Sequence, residues 1–299
     1  MKQQHLKWVY LISLALVWGS SFILIKKGLV GLTPIQLGAL RTFLAGIFLF
    51  IIGPRSVRKI KKPQWKWIAV SAFLGSFFPA FLFAFAEMEV DSAIVSILNS
   101  TVPILALLIG VVFFKISATS NQTLGVIIGL VGSVSLILAG ASINENQNYW
   151  YALLPLVATT MYAFNVHIIK RYLQEVPVLS LTVGCFLILM LPSVVILWQS
   201  DFFTAERLQN ETTQLSIGYI AILAVVGTGI AKLLFNRMVQ ISTPVFSTSV
   251  TYLIPVVALT WGILDGELFN WLQALSGLVI LLGVYFANRK PKSAKRKSA

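Results

Sequence analysis

Titratable chemistry is scarce in this chain. It carries one cysteine, two histidines and ten acidic residues among 299. A single cysteine, Cys185, excludes any disulfide within the chain. The histidines and the carboxylates within apolar stretches occur singly, which argues against a metal centre or a cofactor-bearing active site and leaves none indicated. Charged residues make up only 11% of the sequence, against roughly 25% in a soluble domain. Nor is there a nucleotide-binding sequence. Gly227-Thr228-Gly229 with Lys232 looks like a phosphate loop only superficially, since the rest of that pattern is missing and the stretch is apolar.

What the sequence has instead is hydrophobicity, at 57% of residues. Ten apolar runs follow one another: 7–26, 34–53, 66–86, 92–114, 122–142, 150–170, 178–198, 216–236, 243–264 and 270–288. Each is close to the ~20 residues a helix needs to cross a hydrocarbon core. The expected fold is therefore an all-α integral membrane protein of ten transmembrane helices. Trp8, Trp65, Trp67, Trp150, Trp198 and Trp271 stand near the ends of runs, as interfacial anchors should. The first run has a basic lead like a signal peptide, but lacks a small-residue cleavage site and is long enough to span, so it reads as an uncleaved helix.

The net charge of +13 is topological information rather than a nucleic-acid footprint, because the basic residues lie between apolar runs and in the tail. With a cytoplasmic amino terminus, the inner segments hold Lys2, Lys7, Arg55, Arg58, Lys59, Lys61, Lys62, Lys66, Lys115, Lys170, Arg171, Arg237 and the basic tail. Only Lys26, Lys27 and Arg207 fall outside, and Glu175 is the only acid inside. Both termini are expected in the cytoplasm, in a multi-pass protein of the cell's inner (plasma) membrane.

The chain also repeats itself. Ala93–Pro103 echoes Val245–Pro255 at an offset of 152, and Gly125 falls on Gly277. At an offset of 144, Trp18 aligns with Tyr162, Ser21 with Asn165 and Lys26 with Lys170. The longer segment 199–215 absorbs the difference. The expected organisation is a five-helix repeat over 1–148, a second over 149–288 and a basic cytoplasmic tail over 289–299. Five is odd, so the second copy enters the membrane from the other side. Inverted repeats of this kind build two gates around a central site.

Polar groups within the runs are the candidate site. Helical spacing sets Ser96, Asn99, Ser100 and Pro103 on one stripe, repeated by Thr248, Thr251, Tyr252 and Pro255. Each proline removes a donor, freeing the carbonyl four residues earlier beside polar side chains. The competing reading is that these groups glue helices together. Trp18 with Ser21, and Tyr162 with Asn165, pair an aromatic surface with a hydrogen-bonding group, which suits a small amphipathic solute. Lys232 is a charge inside a run whose repeat mate is the apolar Ala80. It either faces a cavity as a counter-charge for a carboxylate or snorkels to the headgroups. Arg41 is expected as a structural anchor. His167 and Glu87 are the proton-coupling candidates, each with a bland alternative: a satisfied interfacial histidine and a solvated acidic rim.

Trp18-Gly19-Ser20-Ser21-Phe22 followed by Lys26 resembles the opening motif of the EamA family of the drug/metabolite transporter superfamily. Arg41, Pro255, Gly266-Glu267 and Gly277 are similar to further family positions, and the first copy keeps Pro103 and Gly125 but has Lys115 where the family usually has glutamate. The resemblance spans about residues 7–288. It implies export or exchange of small metabolites, often amino acids, by alternating access, around a cavity bordered by spans 1, 3, 4, 6, 8 and 9. The expected substrate-binding residues are Trp18, Ser21, Ser96, Asn99, Tyr162, Asn165, Lys232, Thr248 and Tyr252. The partners expected are a small-molecule substrate and the lipid bilayer, with no nucleic acid, and a homodimer is left open. An intramembrane enzyme or lipid-handling membrane protein is the alternative, though such enzymes cluster His, Asp or Cys within spans.

Overall fold

The computed structural model describes residues 2–115, 120–141 and 147–288; the basic tail over 289–299 lies outside them. Ten long helical stretches follow one another: α1 (Lys2–Gly28), α2 (Pro34–Ile52), α3 (Lys62–Glu89), α4 (Ser92–Phe114), α5 (Ser120–Ala141), α6 (Tyr149–Tyr172), α7 (Val178–Gln199), α8 (Glu211–Ile241), α9 (Phe246–Leu264) and α10 (Trp271–Asn288). No strand occurs among the described residues. Eight of the ten are long and apolar enough to cross a membrane; α5 and α10 carry shorter apolar stretches, Thr123–Leu136 and Trp271–Gly283. Val112, Leu191 and Leu264 stand exposed on the helix surfaces, an arrangement that lipid accepts and water does not. Trp150, Trp198 and Trp271 are exposed at helix ends. This is an integral multi-pass membrane protein.

Local sequence explains where the helices begin and stop. Thr33 caps α2 by accepting from the Gln36 amide while the Gln36 side chain accepts from the Thr33 amide, and Pro34 follows in the first turn. Asn210 caps α8 through the Thr213 amide. The end of α9 is closed by a Schellman turn. Gly266 takes φ 85°, its amide reaches Ile263 O, and the Glu267 amide reaches Gly262 O. A side chain at 266 would be strained there.

Four helices are interrupted, in matching places. α3 contains a π-helical turn at Phe73–Phe77, and α8 one at Leu223–Ile230. Such turns free carbonyls from the regular ladder and favour functional sites. α4 breaks at Ser100–Thr101, and α9 passes through a 3-10 turn at Ser249–Tyr252. Pro103 and Pro255 sit just after these breaks, each in the first turn of the second segment, where its missing N–H costs nothing. Thr251 O is met by the Ser100 hydroxyl at 3.1 Å.

The principal packing pairs cross the chain's midpoint. α1 lies against α9 and α8, α6 against α4 and α3, α2 against α7, and α5 against α10. Three apolar clusters fill the interior. Phe22, Phe83 and Ile254 of the first meet Phe235 and Val250 from the others around a cavity.

Candidate functional site

The cavity has a volume of about 80 Å³, several times the ~10–15 Å³ that one buried water needs. Helices α1, α2, α3, α4, α6, α8 and α9 contribute to its wall. Of the nine residues expected at a binding site, seven line it: Trp18, Ser21, Asn99, Tyr162, Asn165, Lys232 and Thr248. Ser96 does not, because it is buried with its hydroxyl turned back to Ala93 O at 2.6 Å. Tyr252 packs half-buried against the first apolar cluster, outside the lining. In α4 the first segment, Ser92–Asn99, presents Asn99 to the cavity but not Ser96, and in α9 Thr248 and Thr251 line it while Tyr252 does not.

The π-helical turns supply the cavity's backbone chemistry. The Trp18 indole N–H donates to Gly227 O at 3.0 Å, and the Lys232 ammonium donates to Gly75 O. Lys232 also lies 5.3 Å from the Tyr162 ring centre and 6.0 Å from that of Phe235, within cation–π range. It turns inward and does not snorkel. Asn165 Oδ1 accepts from the Ser71 hydroxyl at 2.6 Å. The two glycines leave room for these groups: a Cβ on Gly75 would stand 2.3 Å from Asn165 Nδ2, and one on Gly227 2.8 Å from Ser21 Oγ.

Sequence reasoning missed one cavity cation. Arg41, expected only as an anchor, does anchor, its Nε donating to Thr228 Oγ1 at 2.8 Å, and it also lines the cavity. Neither Arg41 nor Lys232 is within 4.0 Å of a carboxylate in the ion pairs of the described residues. Asn99 Oδ1 is buried without a hydrogen-bond partner. The site therefore holds positive charge, a free acceptor and flat aromatic walls.

The two ends of the bundle are tied differently. At one end Lys26 pairs with Asp265 at 2.9 Å and Glu267 at 3.0 Å, and Lys27 pairs with Asp265. The Glu267 side chain, 2% exposed, also accepts from the Ser92 hydroxyl and from the amides of Ser92 (3.3 Å) and Ala93 (3.1 Å). A carboxylate there satisfies the open donors at the start of α4. The ties to Lys27 and, less strongly, Lys26 hold the Asp265 carboxyl below its ordinary value, against the effect of burial. At the opposite end Lys170 reaches the carbonyls of Val239 (3.4 Å), Gln240 (3.2 Å) and Ser242 (2.9 Å), closing the end of α8.

The remaining sequence candidates lie off the cavity. His167 donates from Nε2 to Ala106 O at 2.8 Å and stacks on Phe114. Glu87 is not a solvated rim residue: it is 7% exposed and neither carboxylate oxygen has a partner. No group of three or more His, Cys, Asp or Glu placed to hold a metal occurs among the described residues.

A bundle of apolar helices around a small cavity set with a few polar groups defines a polytopic membrane protein. The chain belongs to the EamA-like transporter family, whose model matches residues 6–138 and again 149–289. It is 28% identical over 298 residues to a protein of Escherichia coli K12 named "Uncharacterized inner membrane transporter YedA", covering 94% of this chain and 92% of that one. It is 27% identical over 281 residues to a Salmonella typhimurium protein named "Probable amino-acid metabolite efflux pump", covering 90% of each. A crystal structure sharing 16% identity superposes with a TM-score of 0.65 over 94% of this chain and 96% of that one, a likeness of fold.

Proposed function

We propose that the protein is a secondary transporter that exports or exchanges small amphipathic metabolites, amino acids among them, by alternating access between two inverted five-helix repeats. One observation carries this reading. The cavity's polar contacts come in mirrored pairs: Gly75 faces Asn165, and Gly227, its mate at an offset of 152, faces Ser21, the mate of Asn165 at 144. The packing pairs support the same exchange of halves, since α1 with α9 and α8 becomes α6 with α4 and α3. The two separate family matches also support it. Pseudo-symmetric halves around a central cavity are what rocking between two access states requires.

The site's chemistry favours a solute with a carboxylate. Lys232 and Arg41 offer counter-charge, Asn99 Oδ1 accepts from an ammonium or hydroxyl, and Trp18 and Tyr162 supply apolar surface. The name of the Salmonella relative favours amino acids within that class. The charge distribution favours cytoplasmic termini in an inner membrane, which assigns the Lys26–Glu267 end to the outside.

The test is binding and flux in proteoliposomes, with substrates found by a thermal-shift screen of amino acids, sugars, nucleosides and amphiphilic cations. Lys232→Met should weaken binding of a carboxylate-bearing substrate by about 2 kcal/mol, and Lys232→Arg by less, because charge is kept while reach changes. Wild-type affinity and flux in Lys232→Met, at matched membrane expression, would refute the assignment.

A further inference from the structure

Glu87 is the one acidic side chain of α3 that lies buried with both oxygens unpartnered. An ionised carboxylate in such a place would carry an uncompensated charge, so the arrangement seen accommodates the neutral acid. Its position has a logic. It lies one helical turn beyond Phe83, which lines the cavity, and within electrostatic reach of Lys26, Arg41 and Glu267. It therefore stands between the cavity and the Lys26–Glu267 tie.

The opposite end indicates what an untied Lys26 does. Lys170 is the repeat mate of Lys26, and the mate of Glu267 is Lys115, which offers no carboxylate. Lys170 accordingly turns to Val239 and the carbonyls beyond it. Val239 is the repeat mate of Glu87. Carried across the pseudo-symmetry, the place a released Lys26 occupies is against residue 87, and there it meets an acid where Lys170 meets only backbone.

We infer that Glu87 is a proton-binding site that works the outer tie: protonated, it leaves Lys26 to Glu267 and the outer end closed, and ionised, it draws Lys26 off Glu267 and lets that end open. Release of Lys26 also removes the charge balance of the carboxylate that caps α4 at Ser92 and Ala93. The proton passes between Glu87 and water at the outer end, lost as the tie gives way and regained as it re-forms. Of the ionisable groups on the elements packed around α3, Lys26 on α1, Arg41 on α2 and Glu267 beyond α9 act on Glu87; Tyr149 and Tyr162 lie on α6, and Glu89 and Asp91 follow Glu87 in sequence. Arg41 is held to Thr228 in the cavity wall, whereas Lys26, on a long flexible stem between carboxylates, can exchange one for another. The mate of Glu87 is Val239, so the opposite end has no carboxylate at the corresponding place.

The inference rests on the alternating-access reading, but its experiment needs no substrate. A Cys185→Ser background carries Ile25→Cys, a cavity-lining position, as reporter, and Asn210→Cys as exposed reference. Labelling by an impermeant maleimide is followed in intact cells from about pH 5.5 to about pH 8.5. Labelling at 25, normalised to 210, should rise about tenfold across that range. It should stay at the acid level throughout in Glu87→Gln, keep its rise in Glu87→Asp, and stay high throughout in Lys26→Gln. A flat profile with Glu87 present, or the same rise in Glu87→Gln, overturns the inference. The full set of profiles without flux of any solute would support the tie and remove the transport reading; flux without Glu87-dependent labelling would do the reverse.

Discussion

A hydrogen atom at position 75 is what allows the Asn165 amide to stand against Gly75 and accept from Ser71. Gly75→Ala puts a methyl 2.3 Å from Asn165 Nδ2, and the amide, held by Ser71, has no easy way to yield. We expect a loss of about 1–3 kcal/mol in stability and weaker solute binding, read by thermal unfolding in detergent and by titration. Gly227→Ala meets Ser21 Oγ at 2.8 Å, a hydroxyl that can turn, so the milder effect belongs there. Equal damage at both glycines would show that the contact with Asn165 is not what matters at 75. The polar residues of this region were readable from sequence because Trp18, Ser21, Tyr162 and Asn165 recur at a fixed offset and helical spacing. Gly75 and Gly227 were equally readable at the other offset, but a glycine in an apolar run carries no chemistry of its own to draw notice.

Helix boundaries were visible from hydropathy, whereas interruptions inside helices were not. A π-helical turn changes no residue's polarity, and a break before Pro103 looks the same in sequence as a kink at it. Helical spacing also does not tell which polar group on a stripe turns back to its own backbone, as Ser96 does, or that a charge on the unbroken α2, Arg41, reaches the cavity. The turn after α9 shows the converse, a short motif with large reach. Gly266 lets the chain double back so that Asp265 and Glu267 both face Lys26. Because Asp265 titrates below its ordinary 3.8 in the fold, the folded protein binds fewer protons there than the unfolded chain. Its contribution is whole above the ordinary value and is lost as pH falls through the folded one. The unfolding midpoint should therefore drop on acidification from about pH 5 to about pH 3, and drop less in Asp265→Asn. An unchanged acid slope in that variant would mean the ties to Lys26 and Lys27 add nothing.

For the whole molecule the orientation is the first thing to measure. Single cysteines at Ser56 and Asn210, between α2 and α3 and between α7 and α8, should behave oppositely toward an impermeant thiol reagent in intact cells: protected at 56, labelled at 210. Labelling at 56 would invert the reading. The packing has a separate consequence, for how the protein is made. α5 finds its main partner in α10, where a Cβ on Gly132 would meet Ile280 and one on Gly283 would meet the backbone of Gly125 and Gly129. From Gly132 to Ile280 a ribosome working at 5–20 residues per second takes roughly 7–30 s. Throughout that interval the part of α5 around Gly132 is in the membrane without its α10 partner. Lipid or the insertion machinery has to occupy that face, and α10 must displace the occupant before α5 can take its place in the bundle.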